Sequence, residues 1–112
     1  MRGSEEVSNW MNMFRWIVKL IRDEYAIDEA RLTRAATVEQ DLALTLEQVE
    51  RIIEYIQEAF GVRFPSGVMD EVVRLEELCL LASWLAGLYK RPDFLGTGYA
   101  ETALAINSRA AA

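Results

Sequence analysis

The residues of this chain whose types and spacing could do chemistry lie between Asp41 and Glu58. Thr45 is the single hydroxyl of the stretch Asp41 to Gln48. A hydroxyl where a loop enters a helix has two uses: it can serve as a covalent attachment point, or it can accept a hydrogen bond from a free amide of the first turn. Just beyond it come Glu47, Glu50, Glu54 and Glu58, whose three- and four-residue steps place them along one side of a helix. Four carboxylates against the one guanidinium of Arg51 leave a local excess of three negative charges. Such a side is either simply solvated or docks on a basic protein surface.

Composition excludes much other chemistry. The chain has no histidine, which removes the commonest general base and metal ligand, and its single cysteine excludes an internal disulfide and a multi-cysteine zinc site. Cys79 sits on an apolar face with no cationic neighbour in sequence and reads as a small buried hydrophobe. No catalytic residue and no metal site are assigned, and a non-enzymatic protein is expected. The net charge of −6 repels nucleic-acid phosphate and attracts basic protein surfaces. Leu78 to Tyr89, the longest uncharged apolar run, has 12 residues, short of the ~20 that span a bilayer. With no cleavable leader visible, the cytoplasm is the expected location. Met1 to Ser4 reads equally as native chain or as a remnant of an expression tag, and carries no argument.

The elements that must hold these residues follow from periodicity. At 112 residues, 52% hydrophobic and 27% charged, the chain is expected to form one folded domain, 1–112. From Glu5 to about Glu24 the residues Val7, Trp10, Met11, Phe14, Ile17, Val18, Ile21 and Tyr25 share one helical face, with Ser4 as N-cap and Glu5 and Glu6 in the first turn. Met13, Trp16 and Leu20 form a second apolar strip, to be covered by the C-terminal tail or by a second subunit. Residues 25–45 lack periodicity and form a long loop with apolar anchors at Ile27, Leu32, Val38, Leu42 and Leu44, while Asp28 and Thr37 are each placed to cap a short turn.

Thr45 then opens a capping box with Gln48, and Leu46, Val49, Ile52, Ile53, Ile56 and Phe60 line one face of a second helix that ends at Gly61. Val62 and Phe64 lead as an extended connector to Pro65. Ser66 is expected to cap a short third segment with Val68, Met69, Val72 and Val73. A last helix runs from about Arg74 to Lys90, with Leu75, Leu78, Cys79, Ala82, Leu85 and Tyr89 on one face and Leu81, Trp84 and Leu88 on others; Pro92 ends it. Whether the third and last helices are separate is left open. Phe94, Leu95, Tyr99, Leu104 and Ile106 give the tail anchors on the bundle, with one weak helix near Ala100 to Asn107 and a frayed end from Ser108.

This order of elements, an all-α small orthogonal bundle with a long loop between helices one and two and an extra C-terminal tail, resembles that of acyl carrier proteins. In that family a loop reading roughly Val-Glu-Asp-Leu-Gly-X-Asp-Ser-Leu enters helix two, which ends in Glu-Glu-Phe-Gly before an Ile-Pro pair. Here the corresponding residues are Val38-Glu39-Gln40-Asp41-Leu42-Ala43-Leu44-Thr45-Leu46, then Glu58-Ala59-Phe60-Gly61-Val62-Arg63-Phe64-Pro65. The likeness covers about Val18 to Leu85 within a carrier-like region of about 14–90, and leaves 91–112 as the tail. The family's serine carries 4'-phosphopantetheine; Thr45 falls at that place, Leu44 replaces the aspartate before it, Ala43 replaces the glycine and the loop is one residue shorter. A gap-free likeness is to a carrier-like bacterial family of unknown function whose loop reads about Asp-Leu-Gly-Leu-Thr-Gly-Asp-Asp, again without the serine.

The resemblance implies a recognition surface on helix two and the loop before it, formed by Asp41, Glu47, Glu50, Glu54 and Glu58 and facing a partner with a basic patch. It also implies that Val49, Ile52, Ile53 and Ile56, otherwise plain core, border an acyl-chain tunnel. Three readings stand: an interaction module that works without the arm, which is the one adopted; a genuine acyl or peptidyl carrier with 4'-phosphopantetheine on Thr45; and a helical homodimer built on the surplus apolar strips.

Overall fold

The computed structural model describes residues 2–111, with side chains from Trp10 to Ser108. Among them the chain is all-helical: α1 (Arg2–Tyr25), α2 (Leu46–Phe60), α3 (Val68–Glu71), α4 (Leu75–Leu85) and α5 (Thr97–Ala111), with one 3-10 turn at Glu29–Arg31. A small helical bundle with one long connection is therefore its architecture. No helix among the described residues is long and apolar enough to cross a membrane.

The core is made where α1 lies against α4, and α2 closes it from the side of α1. Ile17 and Ile21 from α1, Ile56 from α2, and Leu75, Leu81 and Ala82 from α4 are fully buried, and one hydrophobic cluster runs from Trp10 to Ala100. The two strips assigned to the first helix are divided differently. Met13 belongs to the core, 1% exposed, whereas Met11 and Phe14 are only half-buried. Trp16 packs on the end of α2: its ring stands edge-on to Phe60, centroids 5.1 Å apart. α1 begins at Arg2, ahead of the expected cap at Ser4; the side chains of Ser4, Glu5, Glu6 and Val7 lie outside the described ones. Leu81, off the main apolar face of the last helix, is fully buried as well.

Several boundaries move for identifiable reasons. α3 and α4 are separate, because Val72 and Arg74 are extended. Gly67, not Ser66, precedes α3, since the chain enters it at φ 88°, which glycine adopts without a Cβ clash. α4 stops at Leu85, well before Pro92: the Leu88 and Gly87 amides donate back to the Ser83 and Trp84 carbonyls, with Gly87 left-handed at φ 75°, a Schellman ending. α5 is longer than the weak helix expected and extends through Ser108 to Ala111. It seats on α4 by the small residues Ala100 and Ala103, both fully buried, with Leu95 beneath its start, while Leu104 is 49% exposed.

Two clasps hold α5 to the connector after α2. The Asn107 amide oxygen accepts from the Arg63 N–H at 2.9 Å and its Nδ2 donates to the Arg63 carbonyl at 2.8 Å, so one side chain pairs with the backbone as a neighbouring strand would. The Tyr99 hydroxyl donates to the Pro65 carbonyl at 3.1 Å. Burial, and then the Glu71 carboxylate, push the Tyr99 pKa up, so the phenol keeps the proton that this bond requires.

Truncating the fully buried Ile56 to alanine should cost roughly 2–5 kcal/mol in urea denaturation; a loss below about 1 kcal/mol would mean that α2 does not close the core as described.

Candidate functional site

The site is built from the long connection, the start of α2 and the segment holding α3. All five expected anchors of the connection, Ile27, Leu32, Val38, Leu42 and Leu44, are buried. Its backbone is tied to the chain between α3 and α4: the Val38 amide donates to Val73 O, the Leu75 amide to Ala36 O and the Glu76 amide to Arg34 O, at 2.9 to 3.0 Å. The Asp28 carboxylate accepts from the Ala30 amide and caps the 3-10 turn. Thr37 and Asp41 close the next turn reciprocally, since the Thr37 N–H donates to Asp41 Oδ2 at 2.8 Å and the Asp41 N–H to Thr37 Oγ1 at 2.9 Å. Arg31 Nη2 adds a bond to the Asp41 carbonyl. The bonds from the Thr37 backbone and hydroxyl hold the Asp41 carboxyl below its usual 3.8. Asp41, expected as a partner contact, is thus already engaged within the loop.

Thr45 is exposed and caps α2. Its hydroxyl accepts from the Gln48 amide at 3.1 Å, and the Gln48 side chain accepts from the Thr45 amide at 2.9 Å. Both halves of the box form, an arrangement worth about 1 kcal/mol. Two residues earlier Ala43 is left-handed, φ 54°, a conformation that costs an L-residue roughly 1–2 kcal/mol.

Glu47, Glu50, Glu54 and Glu58 are all exposed on α2. None of the ion pairs among the described residues includes any of them: those pairs join Arg22 to Asp23 and Glu29, and Arg34 to Glu76. The opposite side of α2 does not bury all of its apolar residues. Val49, Ile52, Ile53 and Ile56 are all buried, as expected of core; Val49 and Ile53 also form the floor of a groove of about 460 Å³ between α2 and α3, and Leu46, expected on the same face, is 61% exposed at its mouth. At the first position of its helix Leu46 has no preceding turn to pack under.

Phe64, Val68 and Met69 form the other wall, and Glu39, Glu50 and Asp70 stand on the rim. The groove was missed in the sequence because its two walls lie in separate segments; the surviving signal was Leu46, an apolar residue at the exposed tip of a helix.

Among the described residues no cluster of three or more histidine, cysteine or acidic side chains could hold a metal ion. Cys79 lies between α4 and α1, with Sγ donating to the Trp10 carbonyl at 3.4 Å, and burial pushes its pKa up to about 12. A thiol so disposed is a packing group, not a nucleophile. No family model, curated protein or solved structure matches the chain. The chemistry available to the site is therefore that of its own parts: an exposed hydroxyl at a helix start, an uncompensated row of carboxylates and an apolar groove between them and α3.

The lowered Asp41 pKa makes a signed prediction. A carboxyl depressed in the fold stabilises it above the unfolded value and loses that contribution as pH falls through the folded value. Asp41→Asn should lower Tm at pH 7, and the gap to the wild-type protein should close as pH drops below 3.8; a gap that persists in acid would assign the effect to something other than the Asp41 charge.

Proposed function

We propose that this protein is a non-enzymatic, acyl-carrier-protein-like interaction module that recognises a protein partner with a basic surface patch through α2, without a prosthetic arm. The observation that carries this reading is the row Glu47, Glu50, Glu54 and Glu58, exposed along one helix and outside every ion pair among the described residues. Charges left uncompensated on a fold of net charge −6 raise the encounter rate with a cationic surface and fix the orientation of docking. Asp41 serves this surface indirectly, as the residue that holds the loop at the start of α2.

The arm-free form is favoured because Leu44, not an acidic residue, precedes Thr45, and because the Thr45 hydroxyl already has a structural task in the capping box. The second reading, a genuine carrier with 4'-phosphopantetheine on Thr45, draws support from one observation: the apolar groove opens at Leu46, the residue next to that hydroxyl. For homodimerisation through the surplus apolar strips the support is divided: Leu81 is fully buried within the chain and Trp16 packs on Phe60, while Leu20, Trp84 and Leu88 stay half-buried.

Intact mass of protein coexpressed with a broad-specificity phosphopantetheinyl transferase should be unchanged; a gain of one arm that vanishes in Thr45→Ala would establish the carrier reading instead. For the acidic row, basic proteins retained by the immobilised chain should be released between about 0.05 M and about 0.5 M salt, and should be lost on the Glu47→Lys, Glu54→Lys double variant. Retention indifferent to both changes would overturn the recognition role of α2.

A further inference from the structure

The groove between α2 and α3 is apolar inside and acidic outside. Val49, Ile53 and Val68 line it nearly buried, Phe64 and Met69 are half-exposed to it, and no lysine or arginine contributes to its lining. A second depression of about 170 Å³ continues it, sharing Glu39 and Met69 and ending at Val72 and Val73. Three large apolar side chains are well exposed among the described residues, Leu46, Val73 and Leu104, and two of them stand at the two ends of this track. Its volume falls in the ~300–1,000 Å³ range of binding pockets. An apolar track bounded at both ends by exposed aliphatic residues is a surface that gains by being covered.

Charge decides what covers it. Glu39 and Glu50 on one side and Asp70 on the other rim the apolar floor, so a ligand with a carboxylate or phosphate head would bring like charge to the mouth. A second copy of this chain, itself at −6, is repelled for the same reason. A segment with apolar anchors flanked by lysine or arginine satisfies both features at once. Addition of a strand needs a sheet edge, and the described residues form only the isolated bridge of Thr37 to Arg74; a Pro-rich segment needs a groove lined by aromatic rings, and Phe64 is the one aromatic lining this track. The mode that fits is a helix in the groove, with anchors at three- and four-residue spacing.

We propose that this groove seats the apolar side of a basic amphipathic helix from the partner protein, so that the docking surface is the groove together with its acidic rim. The proposal rests on the recognition role given above to α2 and extends it: the exposed carboxylates steer, and the groove supplies the anchoring contact.

The test uses a fluorescein-labelled synthetic peptide of leucine and lysine whose leucines fall at three- and four-residue steps, against a scrambled peptide of identical composition. Fluorescence anisotropy should give the amphipathic peptide an affinity about tenfold or more above the scrambled one. Leu46→Gln, which keeps the charge and alters an exposed side chain, should weaken that binding about tenfold with an unchanged circular dichroism spectrum. Met69→Gln, on the opposite wall, should do the same.

Equal binding of the two peptides, or indifference to both substitutions, would overturn the groove and leave the acidic row of α2 standing alone. Affinity unchanged in the Glu47→Lys, Glu54→Lys double variant, but reduced in Leu46→Gln, would support the groove and remove the row. Binding of neither peptide would overturn the inference. So would decanoate shifting the Leu46, Val49 and Met69 amide resonances where the peptide does not, an outcome that assigns the groove to an acyl chain.

Discussion

The rest of this structure depends on a short run of backbone hydrogen bonds between the long connection and the chain joining α3 to α4. Residues 34–38 carry amides and carbonyls across the bundle with no helix to satisfy them, and an unpaired buried backbone group costs as much as a lost hydrogen bond. Pairing with Val73, Leu75 and Glu76 meets that requirement. It also fixes Val72 to Arg74 as extended, and so separates α3 from α4. Glu77 completes the arrangement, its carboxylate accepting from the Val73 and Arg74 amides at the start of α4. Because α3 is held away from the axis of α4, a gap remains between it and α2. The groove is thus a by-product of how the loop is tied down.

What could be read from the sequence was what repeats or caps locally. The capping box at Thr45 and Gln48, the left-handed Gly61, the Asp28 cap and the five buried anchors of the connection are decided by a few neighbouring residues, and the chain carries them as expected. Legibility failed where a partner from another segment decides. Periodicity puts Met11 on the main face and Met13 on a second strip, yet the packed bundle buries Met13 and leaves Met11 half-buried. Leu46 fits the apolar stripe of α2, yet its place at the tip leaves it beside α3 rather than under a neighbour. The end of α4 was written in Gly87, two residues past Leu85, while Pro92, five residues further on, drew attention as the stronger breaker. The groove had no linear signature, because neither wall is unusual alone.

α2 divides its surface three ways, and each part follows from simple spacing. Ile52 and Ile56 face inward, Glu47, Glu54 and Glu58 face water, and Val49, Ile53 and Glu50 border the groove between those two sides. Charge and apolar area therefore meet along one edge of one helix. Long-range attraction acts over about a Debye length and brings a partner near; contact with aliphatic surface acts only on touching and decides how long it stays.

Cys79 has a consequence of a different kind. It is the one sulfhydryl of the chain and lies in the seam where α1 meets α4, its proton held by burial. A thiol reagent reaches it only when that seam separates, so the pace of alkylation counts openings of the principal helix pair. The fold carries its own stopwatch for breathing, with no second sulfur to blur the reading.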